Sequence, residues 1–160
     1  MAGLVHKGDK KMMRRTHHLV AALGLGLFAA LAHAQATPAG LWKTIDDESK
    51  KEKSLIRIVE TNGVFSGKLE KLLDAADKGD PVCDKCTDER KDKPIVGMQL
   101  IRHVKHSESN PDRWDGGEIL DPNNGKTYKV RLTPLEGGKK LEVRGFIGPF
   151  YRNQIWVRAE

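Results

Sequence analysis

Hydrophobic and polar positions alternate with a period of two along most of residues 35–160. Tyr128, Val130 and Leu132 are interleaved with Lys129 and Arg131, and Leu141 and Val143 with Glu142 and Arg144. Alternation of this kind belongs to strands with one buried and one wet face. Between these two strands stands Glu136-Gly137-Gly138, a hairpin signal. Upstream, Ile56 and Ile58 flank Arg57, and Thr61-Asn62-Gly63 turns the chain into a second apolar run over 64–69. Asp121-Pro122-Asn123-Asn124-Gly125 separates a strand over 114–120 from the one that holds Tyr128. Runs over 41–44, 95–104 and 151–158 complete about eight strands. Gly116-Gly117 and Gly145, inside strands, predict bulges or sharp bends. Short antiparallel strands in meander order predict an all-β fold, a small up-and-down barrel in preference to a sandwich. The one helical spacing, Leu69, Leu72 and Leu73 within 68–77, predicts a short helix or a loop.

The first 34 residues break this pattern. Lys10, Lys11, Arg14 and Arg15 precede an uninterrupted apolar stretch over 19–31, and Ala32-His33-Ala34 follows. That is the order of a secretory signal peptide cleaved after Ala34, and the stretch is short of the roughly 20 residues a membrane-spanning helix needs. Met12 and Met13 offer later starts, which would place residues 1–11 upstream of the true one. The expected product is a single domain over 35–160, periplasmic or secreted, without stable membrane insertion. The leader carries five of the 28 basic and one of the 22 acidic residues, so the remainder holds 23 and 21, a net charge of +2. The basic character of the whole chain is largely the leader's, and no nucleic-acid partner is expected.

Chemistry-bearing residues are few. Cys83 and Cys86 are the only cysteines, in a chain bound for an oxidising compartment. Asp80, Asp84 and Asp88 crowd them with only Lys85 opposing, which disfavours the thiolate of a redox pair. A disulfide pinning the long segment 71–94 is the expectation. Zinc with His103 and His106 is the rival, weakened because an i, i+3 offset on a strand sends side chains to opposite faces. No metal site and no cofactor are expected. Asp115, Glu118, Asp121 and His103 could supply acid–base groups, but turn, bulge and outward positions account for each, and no nucleophile or phosphate-binding motif is present.

Gly40-Leu41-Trp42, Cys83-Asp84-Lys85-Cys86, Gly116-Gly117-Glu118-Ile119-Leu120-Asp121-Pro122, Gly125-Lys126-Thr127-Tyr128, Leu141-Glu142-Val143-Arg144-Gly145 and Trp156-Val157-Arg158 resemble, as a set, the secreted bacterial family known as domain of unknown function 2147. The resemblance spans essentially the whole of 35–160. It implies a calycin-like or lipocalin-like β-barrel in the periplasm and no particular activity. In such a barrel Arg158 can stack on Trp42 to close one end; the alternative is an ordinary core tryptophan and a solvated terminal charge.

An eight-stranded barrel is just wide enough for one small ligand. A small apolar or amphipathic molecule in the mouth is therefore the leading functional expectation, lined by Phe65, Trp114, Tyr128, Phe146, Phe150 and Tyr151. With 6% aromatic residues the interior could instead be solid, making the chain a structural or protein-interaction domain of the envelope. A hydrolase or isomerase site at the mouth is the third reading.

Overall fold

The computed structural model describes residues 36–73 and 81–160; the leader sequence lies outside them. The described chain is all-β, with eight antiparallel strands closed into a barrel in sequence order. They are β1 (Gly40–Ile45), β2 (Glu52–Thr61), β3 (Val64–Leu72), β4 (Gln99–His106), β5 (Trp114–Asp121), β6 (Lys126–Leu135), β7 (Lys140–Ile147) and β8 (Phe150–Arg158). Each strand pairs with the next in sequence through a short connection, except that residues 73–98 lie between β3 and β4, and β1 pairs back on β8 through Trp42 with Arg158 and Lys43 with Val157. Among the described residues no helix is long and apolar enough to cross a membrane.

Three sequence expectations shift. Residues 68–72 belong to β3 and not to a helix. Leu55 pairs with Lys71 but Ile56 with Leu69, so β3 carries an extra residue at that point. The bulge resets the alternation by one, which brings both Leu69 and Leu72 to the inner face at an i, i+3 spacing that imitates a helix. The strand expected over 95–104 begins only at Gln99 and runs on to His106. Gly116 does sit in a bulge, where β5 shifts register against β6 between Trp114 and Gly117, whereas Gly145 pairs in regular register with Val130 and Arg152.

The interior has two unlike halves. At the end where β1 begins, Trp42, Phe65, Val104, Trp114, Leu132 and Leu141 are buried against one another. Trp42 is fully enclosed and its indole donates to the Pro38 carbonyl at 2.7 Å. The Arg158 guanidinium lies over its ring, 4.2 Å from the centroid, and donates to the carbonyls of Gly138, Ala39 and Thr37. One side chain therefore ties the last strand to the segment before β1 and to the β6–β7 connection. A Cβ on Gly40 would stand 2.2 Å from an Arg158 nitrogen, and its φ is +139°, so glycine is required beside this seal. The opposite end is open.

Candidate functional site

The open end holds a cavity of about 470 Å³. Its deep walls are apolar, formed by Ile56, Leu69, Leu100, Leu120, Val143 and Trp156. Nearer the rim come Asp46, Asp47 and Lys53 after β1 and on β2, Asp121, Asn123 and Asn124 at the β5–β6 turn, and Arg152 on β8. Arg152 is ion-paired with Asp47. That hydrogen bond, reinforced by the charge of Asp121 and Asp46, raises its pKa. Hydrogen bonds from Ser49, first from its backbone N–H, hold Asp46 below the usual carboxylate range. Asp121 accepts from Asn123 and Asn124. Each rim carboxylate is thus occupied by a partner from the chain itself.

Of the six aromatic residues expected to line the mouth, only Tyr128 does so. Phe65 and Trp114 stand at the second and first positions of their strands at the sealed end, edge to face with ring centroids 6.1 Å apart, and are core. On β7 the cavity side belongs to Val143, Gly145 and Ile147, so the intervening Phe146 points out, beneath Arg131 at 5.2 Å. Tyr151 is likewise outside, under Arg144 at 4.3 Å, and Phe150 at the hairpin tip is 75% exposed. Sequence alternation identified two faces on each strand; it did not say which was inner where both carry apolar groups. Asp115, Glu118 and His103 do not line the cavity. His106 ends β4 against the Trp114 ring, its Nε2 2.7 Å from the Pro111 carbonyl oxygen.

Residues 40–158 match the model of the family described as "Uncharacterized protein conserved in bacteria (DUF2147)". The chain belongs to this family. A search of the curated proteins found no match. Among solved structures, the barrel of this DUF2147 chain is similar to a Helicobacter pylori protein, described as "Protein HP1028 from the human pathogen Helicobacter pylori belongs to the lipocalin family". The TM-score is 0.65 at 19% identity, covering 78% of this chain and 84% of that one. At that identity the likeness concerns the fold, and it makes the DUF2147 barrel lipocalin-like.

The connection from β3 to β4 shapes one side of the DUF2147 cavity. Cys83 and Cys86 form a disulfide and are both buried, while Pro81 and Ile95 of the same segment line the cavity. The disulfide-bearing tip rests on the β5–β6 turn so closely that a Cβ on Gly125 would fall 1.9 Å from the Lys85 carbonyl oxygen, at a φ of +70° that already favours glycine. Arg90, not singled out in the sequence, anchors the loop. Its side chain is 6% exposed, pairs with Asp88, and reaches the Gln99 carbonyl and the Thr127 hydroxyl on β4 and β6. Nothing in a run of charged residues distinguishes the one arginine that turns inward.

These bonds from Arg90 hold the Asp88 pKa at about 2, below its ordinary 3.8. A depressed carboxylate contributes stability in full above its unfolded-state pKa, and that contribution fades as pH falls through the native one. Asp88→Asn is therefore expected to lower the urea midpoint at pH 5 and to show a much smaller deficit near pH 2. A deficit of the same size at both pH values would show that the effect is not ionic.

Proposed function

We propose that this protein is an exported carrier or sensor barrel that holds one small apolar or amphipathic molecule in the open end of its interior, in the periplasm or outside the cell. The observation that carries the reading is the cavity itself. A volume of about 470 Å³ lies within the 300–1,000 Å³ usual for small-molecule sites. Its deep walls are apolar and its rim charged, the arrangement that accommodates a molecule with a greasy body and a polar end. The leader-like pattern over residues 10–34 supports export, and so does a disulfide in the folded chain.

A barrel serving only as an envelope scaffold would have no use for this hollow and would gain stability from filling it. A carboxylate acting as general acid or base works best with a pKa near the working pH, and Asp46, held low by its hydrogen bonds from Ser49, is not suited to that role. The reading is tested by titrating the exported protein with a small fluorescent apolar probe and following energy transfer from its tryptophans, of which Trp156 lines the cavity. Saturable uptake of one molecule per chain is expected. Absence of saturable uptake, together with native mass spectra showing only bare polypeptide after purification from the exporting cell, would return the protein to the scaffold class.

A further inference from the structure

The polar groups inside the cavity are unevenly satisfied. Thr44 on β1 and Ser54 on β2 face each other across the β1–β2 ladder, more than nine-tenths buried, with their hydroxyl oxygens 2.7 Å apart. Two hydroxyls bring two hydrogens, and their mutual bond uses one. The other has no acceptor among the described residues. Gln154, on β8 next to β1, also lines the cavity. Its Oε1 accepts from the Trp156 indole at 3.2 Å. Because indole N–H only donates, the amide orientation is fixed by chemistry, and both hydrogens of the Gln154 amide nitrogen are left over. On the far wall, the Asn124 amide nitrogen donates to the Tyr128 hydroxyl at 2.9 Å and to Asp121, while its oxygen accepts from the Lys126 N–H. Tyr128 is thus an acceptor in that bond and keeps its own proton free.

Around Thr44, Ser54, Gln154 and Tyr128 the spare groups are donors; among the described residues the side-chain amide oxygen left without a hydrogen bond in the cavity lining, that of Asn123, belongs to the rim. A buried donor without a partner is costly, so a ligand that supplies oxygen lone pairs gains where one that supplies more hydrogens does not. Charge narrows the choice. None of these donors is a cation, and the rim sets three carboxylates, Asp46, Asp47 and Asp121, against Lys53 and Arg152. A carboxylate head would enter a slightly negative rim, in which Lys53 already faces Asp46, and would meet only neutral donors at Thr44, Ser54 and Gln154, where an ammonium head would meet hydrogens with hydrogens.

We propose that the cavity selects an amphiphile whose head is an uncharged oxygen acceptor, an ester or amide carbonyl, seated against Thr44, Ser54 and Gln154 with its apolar chain along Ile56, Leu69 and Leu100. This rests on the ligand-binding reading and specifies its ligand class. The test compares methyl decanoate, decanoate and decylammonium by displacement of the fluorescent apolar probe from the full exported protein. The ester is expected to bind about tenfold or more tightly than the ammonium, and more tightly than the carboxylate.

Two variants assign the effect to the donors. Thr44→Val with Ser54→Ala removes both members of the hydroxyl pair, a change that leaves no orphan behind. It should weaken the ester roughly three- to tenfold relative to the apolar probe, whose own affinity is measured for each variant as the reference. Gln154→Glu keeps the acceptor for the Trp156 indole but replaces the amide N–H groups by a second oxygen, and should reverse the order of ester and ammonium. Equal binding of all three heads, or a carboxylate or ammonium bound best by wild type, would overturn the head-group assignment while sparing the cavity. Failure of the probe itself to bind would overturn both.

Discussion

Replacing Trp42 by alanine should lower the unfolding free energy by about 3 to 5 kcal/mol, measured by urea denaturation, out of the 5 to 15 kcal/mol typical of a domain. Trp42 is fully buried at the sealed end, so its truncation leaves a cavity in the core. Its removal also leaves Arg158 without the ring beneath its guanidinium and the Pro38 carbonyl without a donor. Phe150→Ala provides the contrast. At 75% exposure it should change stability by no more than about 0.5 kcal/mol. Similar losses in the two variants would mean that the hairpin tip packs on something and that the two ends of the barrel are not mechanically distinct.

A side chain placed at Gly145 should abolish uptake without unfolding the protein. Gly145 lies on β7 between Val143 and Ile147, all three on the cavity wall. A Cβ added there would have Tyr128 Cβ as its nearest neighbour, at an ordinary 3.8 Å. Gly145→Leu would extend into open space and occupy the volume a ligand needs. Strand interiors are weakened by glycine, so stability should hold or rise slightly. The expected result is a loss of at least about tenfold in probe affinity with an unchanged or higher urea midpoint. Undiminished uptake would place the bound molecule somewhere other than this cavity.

Gly145 also illustrates what the sequence could and could not disclose. The architecture was legible because alternation over β6 and β7 and the turn at Asn62-Gly63 are local signals, and a meander needs little beyond local pairing. The cavity was not, because it arises where side chains are small or absent and where a bulge in β3 turns Leu72 inward, and neither leaves a mark in composition. Aromatic residues drew attention as ligand-lining candidates for their size. Size led instead to the packed end for Phe65 and Trp114 and to arginine-covered outer faces for Phe146 and Tyr151. The polar residues of the cavity, Thr44, Ser54 and Gln154, are unremarkable until the partners of each hydrogen are counted.

The seam between β1 and β8 bears on how the molecule comes to be. Seven of its eight strand pairings join neighbours in sequence and can form as each hairpin emerges, but the eighth joins the two ends of the domain. Until β8 has been delivered, β1 and β7 are open edges able to pair with another chain. Closure must bring Arg158 to Trp42 across nearly the whole polypeptide, the most expensive loop in the fold. A nascent chain missing only its last strand would therefore be nearly complete in sequence and yet at its most prone to associate. The tight hold of Arg158 on Thr37, Ala39 and Gly138 makes the final step hard to reverse once taken.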